Sequence, residues 1–145
     1  MRYITLCAFV VVALVLTACT GGAVLPYSLA AESILPEFLH DAAPTVREAY
    51  RFAIENADEL GNYPCYCGCG KMGHTSNLDC FIQDIDEAGH ITFDQHAAGC
   101  GICVDITQDA MRLLREGRSS AEIRAYVDAT YSAYGPSTDT PMPEG

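Results

Sequence analysis

The sequence has little positive charge. Its 8 Lys and Arg residues stand against 19 Asp and Glu, which gives a formal net charge of −11. A nucleic-acid ligand needs a basic face, so this balance argues against one. The chain also shows no Ser/His/Asp arrangement, no paired catalytic carboxylates, no glycine-rich phosphate loop and no internal repeat. We therefore assign no catalytic residue, and a binding protein is favoured over an enzyme.

A long apolar run occurs only at the N-terminus. Residues 4–16 follow a short basic start and are too few to span a bilayer comfortably. The run ends in Leu16-Thr17-Ala18-Cys19, which resembles the lipobox cut by bacterial signal peptidase. We expect residues 1–18 to be a lipoprotein signal peptide and Cys19 to be lipidated, with two or more acyl chains holding the protein on the extracytoplasmic face of a bacterial membrane. An ordinary secretory signal or an uncleaved anchor helix are the alternatives.

The rest of the chain predicts a single small domain. Residues 19–33 show no clear period, so we expect a tether between the lipid and the domain. Residues 34–134 carry the domain itself. Residues 135–145 contain three prolines among small polar residues and are expected to be a disordered tail.

The fold class predicted for the domain is mainly α. Apolar residues recur at steps of three and four over 44–60, 94–116 and 119–134, which predicts about three main helices. Ser119 with Glu122 matches a capping box at the start of the last one. Two short β-prone runs flank Gly89 and fit a β-hairpin, with a short helix from Cys80 to Ile85 as the alternative.

The most unusual stretch is a cysteine-rich loop, Pro64-Cys65-Tyr66-Cys67-Gly68-Cys69, followed by His74 and Cys80. Side chains at alternate positions of an extended segment point the same way, so its first three sulfurs can converge. Gly68 and Gly70 allow the backbone to bend around that point. A disulfide within a Cys-x-Cys pair would close a strained ring, whereas thiolates around one metal ion avoid this strain.

A second set of candidate ligands follows later in the chain. His96, Cys100 and Cys103 are spaced i, i+4 and i+7, so a helix beginning near Asp94 would present all three on one face. Together the two sets predict one metal site made of eight residues: Cys65, Cys67, Cys69, Cys80, Cys100, Cys103, His74 and His96.

The donor set favours a soft metal, because thiolates select Cu(I), zinc or iron–sulfur clusters. Six bridging thiolates would accommodate about four three-coordinate Cu(I) ions. Structural zinc sites normally use Cys-x₂₋₄-Cys spacing, and iron–sulfur clusters prefer wider spacings. Cu(I) is therefore the first choice and zinc the second, with Met72 as a further soft ligand. Buffering, sequestration or delivery of the metal would follow, with the membrane and a metal-handling or respiratory membrane protein as partners.

Two other functions fit the cysteines. Six cysteines in a small secreted domain can form three disulfides, which would make a stapled protein-interaction module. Cys100-Gly101-Ile102-Cys103 is also a Cys-x-x-Cys at a helix start, as in thiol–disulfide oxidoreductases. The predicted elements of this chain are mainly helices, without the alternating strands and helices of a thioredoxin-like fold, which argues against this alternative.

The cysteine-rich loop also resembles the signature of a known family, the bacterial PCYCGC-motif proteins, which are mostly predicted lipoproteins. Gly73-His74, Cys80-Phe81 and Asp94-x-His96-x₃-Cys100-x₂-Cys103 continue the likeness, which covers about Pro36 to Tyr131. The resemblance implies a membrane location and treats all six cysteines as one unit. It implies no particular metal.

Overall fold

The computed structural model describes residues 25–143. The predicted signal peptide, Cys19 and the first part of the predicted tether lie outside these residues. Among the residues described, no helix is both long enough and apolar enough to cross a membrane. The architecture is a small, mainly α domain with one two-stranded sheet, as the periodicity predicts.

The described residues contain four α-helices: α1 Pro44–Glu55, α2 Ala57–Leu60, α3 Gly101–Arg115 and α4 Ser120–Tyr131. Short 3₁₀ turns occupy Glu32–Ile34, Glu37–Leu39, Cys69–Met72, Leu78–Cys80 and His96–Gly99. Helix α3 packs against both α1 and α4. The fully buried side chains of the core include Leu39, Tyr50, Phe52, Ile106, Met111, Ile123 and Val127.

The first predicted helix, 44–60, is divided at Asn56. This residue has φ −132° and ψ 43°, outside the helical region. Its side-chain amide donates to the carbonyl oxygens of Ser28 at 2.8 Å and Phe52 at 2.9 Å. An Asn side chain that bonds nearby backbone in this way competes with helix continuation, so α1 ends here and α2 begins one residue later.

The predicted helix 94–116 begins later than expected. His96–Gly99 form a 3₁₀ turn, Cys100 is extended with φ −121° and ψ 104°, and α3 starts at Gly101. The prediction that His96, Cys100 and Cys103 share one helical face is therefore wrong. Glycines at 99 and 101 weaken a continuous helix here. Asp94 also stabilises the separate turn, because its Oδ1 accepts the His96 N–H at 2.6 Å.

The last helix and the hairpin follow the local sequence patterns closely. At the start of α4, Ser119 and Glu122 form the predicted capping box in both directions. Strands β1 Ile82–Ile85 and β2 Ile91–Phe93 pair antiparallel, with a register irregularity near the start of β1. Gly89 supplies the turn residue with φ 84°, a conformation that glycine adopts without strain.

Both ends of the described chain pack on the domain. Residues 25–33, part of the predicted tether, bury Tyr27 and Ala30, and the Ala30 N–H donates to the Arg51 carbonyl of α1 at 3.2 Å. Residues 135–143, part of the predicted disordered tail, bury Thr138 and Thr140. Composition predicts neither contact. The first combines a backbone hydrogen bond with edge-on packing of Tyr27 against Phe52, and the second depends on polar groups that satisfy distant backbone.

Candidate metal centre

The cysteine-rich loop is a tight turn rather than an extended segment. Gly68 has φ 87°, and the 3₁₀ turn Cys69–Met72 begins directly after it. A side chain at position 68 would be strained in this left-handed conformation. The sulfurs of Cys65, Cys67 and Cys69 thus converge through this reversal of the backbone. Gly70, also expected to bend the chain, lies within the 3₁₀ turn and has no positive φ.

Buried Asn77 ties the loop region to helix α3. Its N–H donates to the Tyr63 carbonyl at 2.7 Å, before the first cysteine. Its side-chain amide donates to Thr107 Oγ1 at 2.8 Å and to the Cys103 carbonyl at 3.3 Å. The next turn, Leu78–Cys80, then delivers the Cys80 sulfur. Asn77 therefore holds cysteines from both sets in place, although no local pattern marks it.

The structure brings all six cysteine sulfurs into one cluster. The Sγ atoms of Cys65 lie 3.3 Å from Cys67 and 3.5 Å from Cys103, and the Cys67–Cys103 separation is 3.7 Å. Cys69 and Cys80 are 3.6 Å apart. A disulfide would need about 2.05 Å. All six cysteines in the described part of the chain are free thiols.

The donor atoms fall into two groups of four, each with all atoms within 4.8 Å of one another. We call Cys65, Cys67, Cys69 and Cys80 the inner group. Cys67, His96, Cys100 and Cys103 are the outer group. A tetrahedral ion with metal–sulfur bonds of about 2.3 Å separates its sulfur ligands by about 3.8 Å. The shortest separations in the cluster are close to that distance, so each group has the size of a mononuclear soft-metal site.

The two histidines take different positions at the cluster. His96 Nε2 lies 3.2 Å from Cys67 Sγ and belongs to the outer group. His74 Nδ1 lies 3.4 Å from Cys80 Sγ but belongs to neither group of four. Its Nε2 is 3.7 Å from Asp94 Oδ2, which is close but beyond hydrogen-bond distance. His74 thus adjoins the inner group from the side.

Asp94 organises the histidine side of the site. Its backbone carbonyl accepts the Tyr50 hydroxyl at 2.7 Å, and its carboxylate accepts the backbone N–H of His96 and lies 3.7 Å from the His74 ring. An Asp two residues before a helical turn is a recognisable local signal, but its contact with His74 depends on tertiary packing. Met72, considered as a further ligand, is 59% exposed and lines a surface depression with His74 and His96.

Crowding of the sulfurs changes their acidity in opposite directions. Hydrogen bonding with Cys103, and then with Cys80, holds the pKa of Cys65 well below its ordinary value. Burial, followed by the nearby Cys65, raises the pKa of both Cys67 and Cys69. Hydrogen bonding with Cys65 and Cys80, together with burial, raises the pKa of Cys103. A metal that binds thiolates must displace these protons, so metal affinity should fall as pH falls.

Comparison with known proteins gives one family. A family model described as "Protein of unknown function with PCYCGC motif" matches residues 11–143. No curated protein and no solved structure matches the chain.

Proposed function

Because the chain belongs to the family of proteins of unknown function with the PCYCGC motif, we propose a function from its own site: it binds soft metal ions, Cu(I) first, through its six cysteines. The bound metal is buffered, sequestered or delivered. The protein does this as a lipoprotein on the extracytoplasmic face of a bacterial membrane. The location rests on the lipobox-like Leu16–Cys19 pattern.

One observation carries the choice of metal class. Cys65, Cys67 and Cys103 form a nearly equilateral triangle of sulfurs with edges of 3.3, 3.5 and 3.7 Å. Three thiolates arranged in this way suit a three-coordinate Cu(I) ion, since soft sulfur ligands select soft ions. Each corner also belongs to a group of four. The Cys67 corner belongs to both groups, so its thiolate can bridge neighbouring ions.

Zinc is the second candidate, and the structure strengthens it. The inner group is a Cys₄ set and the outer group a Cys₃His set, both of which are ligand sets of structural zinc. The Cys-x-Cys-x-Cys spacing of the loop differs from the Cys-x₂₋₄-Cys spacing that structural zinc sites normally use. The turn at Gly68 removes that objection, because it brings the sulfurs together whatever their spacing along the chain.

Native mass spectrometry of the reduced protein with Cu(I), and separately with Zn²⁺, tests the proposal. We expect metal-loaded species, and we expect the Cys67→Ser variant to hold fewer ions because Cys67 lies in both groups. The control is His90→Gln, at a histidine with an 82% exposed side chain that belongs to neither group, which should keep full capacity. Unchanged capacity in Cys67→Ser would contradict the proposal. A native mass six hydrogens below the reduced value, without metal, would instead support the stapled module.

A further inference from the structure

The inner and outer groups have a single residue in common, Cys67. Seven residues therefore supply eight coordination positions. Two tetrahedral ions can occupy the two groups only if the Cys67 thiolate is bonded to both of them. The Cys67 sulfur is placed for this role, because it lies 3.3 Å from Cys65 in the inner group and 3.2 Å from His96 Nε2 in the outer group.

The two groups differ in their exposure to solvent. Cys65, Cys69 and Cys80 of the inner group are all buried, so Cys67 is its one half-exposed member. In the outer group only Cys103 is buried, while Cys67, His96 and Cys100 are half-exposed. Solvent and incoming ligands therefore have better access to the outer group.

Surface depressions reach the outer group from two sides. One is lined by His96 together with Met72 and His74. The other is lined by Cys100 with Gly101 and Asp105. A third depression lies over the cysteine-rich loop, between Gly70 and the tail at Thr138, but no cysteine lines it. The tail covers the loop here, because the Thr138 N–H donates to the Cys65 carbonyl at 2.9 Å.

From this geometry, and resting on the proposed function, we propose that the centre holds two soft ions bridged by the Cys67 thiolate and that they exchange unequally. The inner ion is retained. The outer ion exchanges with solvent or a receiving protein. Exchange occurs by ligand substitution: incoming donors replace His96 and Cys100 on the outer ion, with no change in its oxidation state. The surrounding shell controls access to a metal, so the buried inner ligands resist the same attack.

Binding and release of ¹¹³Cd²⁺, a soft tetrahedral probe ion, test this inference. The reduced protein should bind two ions and give two ¹¹³Cd resonances, one for each donor set, with scalar coupling between them through the shared thiolate. On addition of excess EDTA, one ion should leave faster than the other by about tenfold or more. A single bound ion, two uncoupled resonances or equal release rates would overturn the inference.

Single substitutions assign the two ions. Cys100→Ser changes an outer ligand only, so it should abolish or accelerate the fast phase and leave the slow phase intact. Cys69→Ser, its matched inner counterpart, should affect the slow phase. His96→Gln should resemble Cys100→Ser, whereas His90→Gln, at a histidine on the hairpin turn with an 82% exposed side chain, should resemble the wild type. If the inner variant does not fold, the wild-type kinetics and the outer variants still decide the question.

The outcomes separate this inference from the function on which it rests. Absence of cadmium and Cu(I) binding, or binding that no cysteine substitution alters, would overturn the proposed function. Cysteine-dependent binding of one ion, or of two ions with equal release rates, would leave the function standing and remove the two-ion inference.

Discussion

The contact between the tail and the cysteine-rich loop makes a sharp prediction for Thr138→Val. Thr138 is 3% exposed, and its hydroxyl accepts the Cys65 N–H at 2.9 Å and contacts the Thr140 hydroxyl at 2.9 Å. Valine has nearly the same shape but cannot accept a hydrogen bond. The substitution therefore leaves the buried Cys65 N–H without its partner.

The size of the effect follows from that orphaned donor. A buried donor left unsatisfied costs about 1–3 kcal/mol. The second link between the segments, from the Thr138 N–H to the Cys65 carbonyl, is a backbone bond and remains available. We therefore expect the free energy of unfolding of the reduced, metal-free protein to fall by about 1–3 kcal/mol, with the fold retained.

Urea denaturation followed by far-UV circular dichroism measures this change. Ser137→Ala is the matched control, since it removes a hydroxyl from the neighbouring exposed residue and should change stability by less than about 0.5 kcal/mol. The rate of thiol modification should also rise in Thr138→Val, because the tail covers the loop less firmly. Equal stability of the two variants would refute the proposed packing of the tail.

Two further predictions concern α4. Ser119→Ala removes the capping box and should lower the free energy of unfolding by about 1 kcal/mol, whereas Ser132→Ala, at the other end of the helix, should have little effect in the same urea titration. Burial, and then a hydrogen bond to Asp109, raises the pKa of Tyr131. Its contribution to stability is present below the unfolded value of about pH 10 and is lost as pH rises toward the folded pKa, at up to about 1.4 kcal/mol per pH unit. The free energy of unfolding measured between pH 9 and 11 should therefore fall less steeply in Tyr131→Phe than in the wild type. An identical slope would contradict the assignment. The control Tyr134→Phe, at a 65% exposed residue, should not change the slope.

Local patterns were enough to predict the fold class and several elements. The capping box at Ser119, the period of apolar residues in the helices and the turn glycine of the hairpin involve residues a few positions apart. Their interactions are therefore visible in a short window of sequence. The sequence also indicates that the six cysteines act together. Their number and spacing are poorly suited to ordinary disulfides, which favours a shared metal site.

Tertiary packing determines how those cysteines are divided. Cys65 and Cys103 come within 3.5 Å because α3 packs on α1 and Asn77 joins the loop to α3. No spacing rule relates residues separated by that much chain. The helix break at Cys100, by contrast, depends on local residues, because Gly99 and Gly101 weaken a continuous helix and Asp94 caps the turn that replaces it.

Tertiary packing also determines the positions of the tail and of the histidines. The composition of residues 135–143 indicates no core, yet Thr138 pairs with Cys65 across the fold. His74 and His96 looked equivalent in the sequence, but His96 lies in the outer group and His74 only beside the inner one. Local chemistry thus identifies which atoms can bind a soft metal, whereas long-range packing sets which of them meet, because hydrogen bonds and contacts between distant segments leave no periodic trace in the sequence.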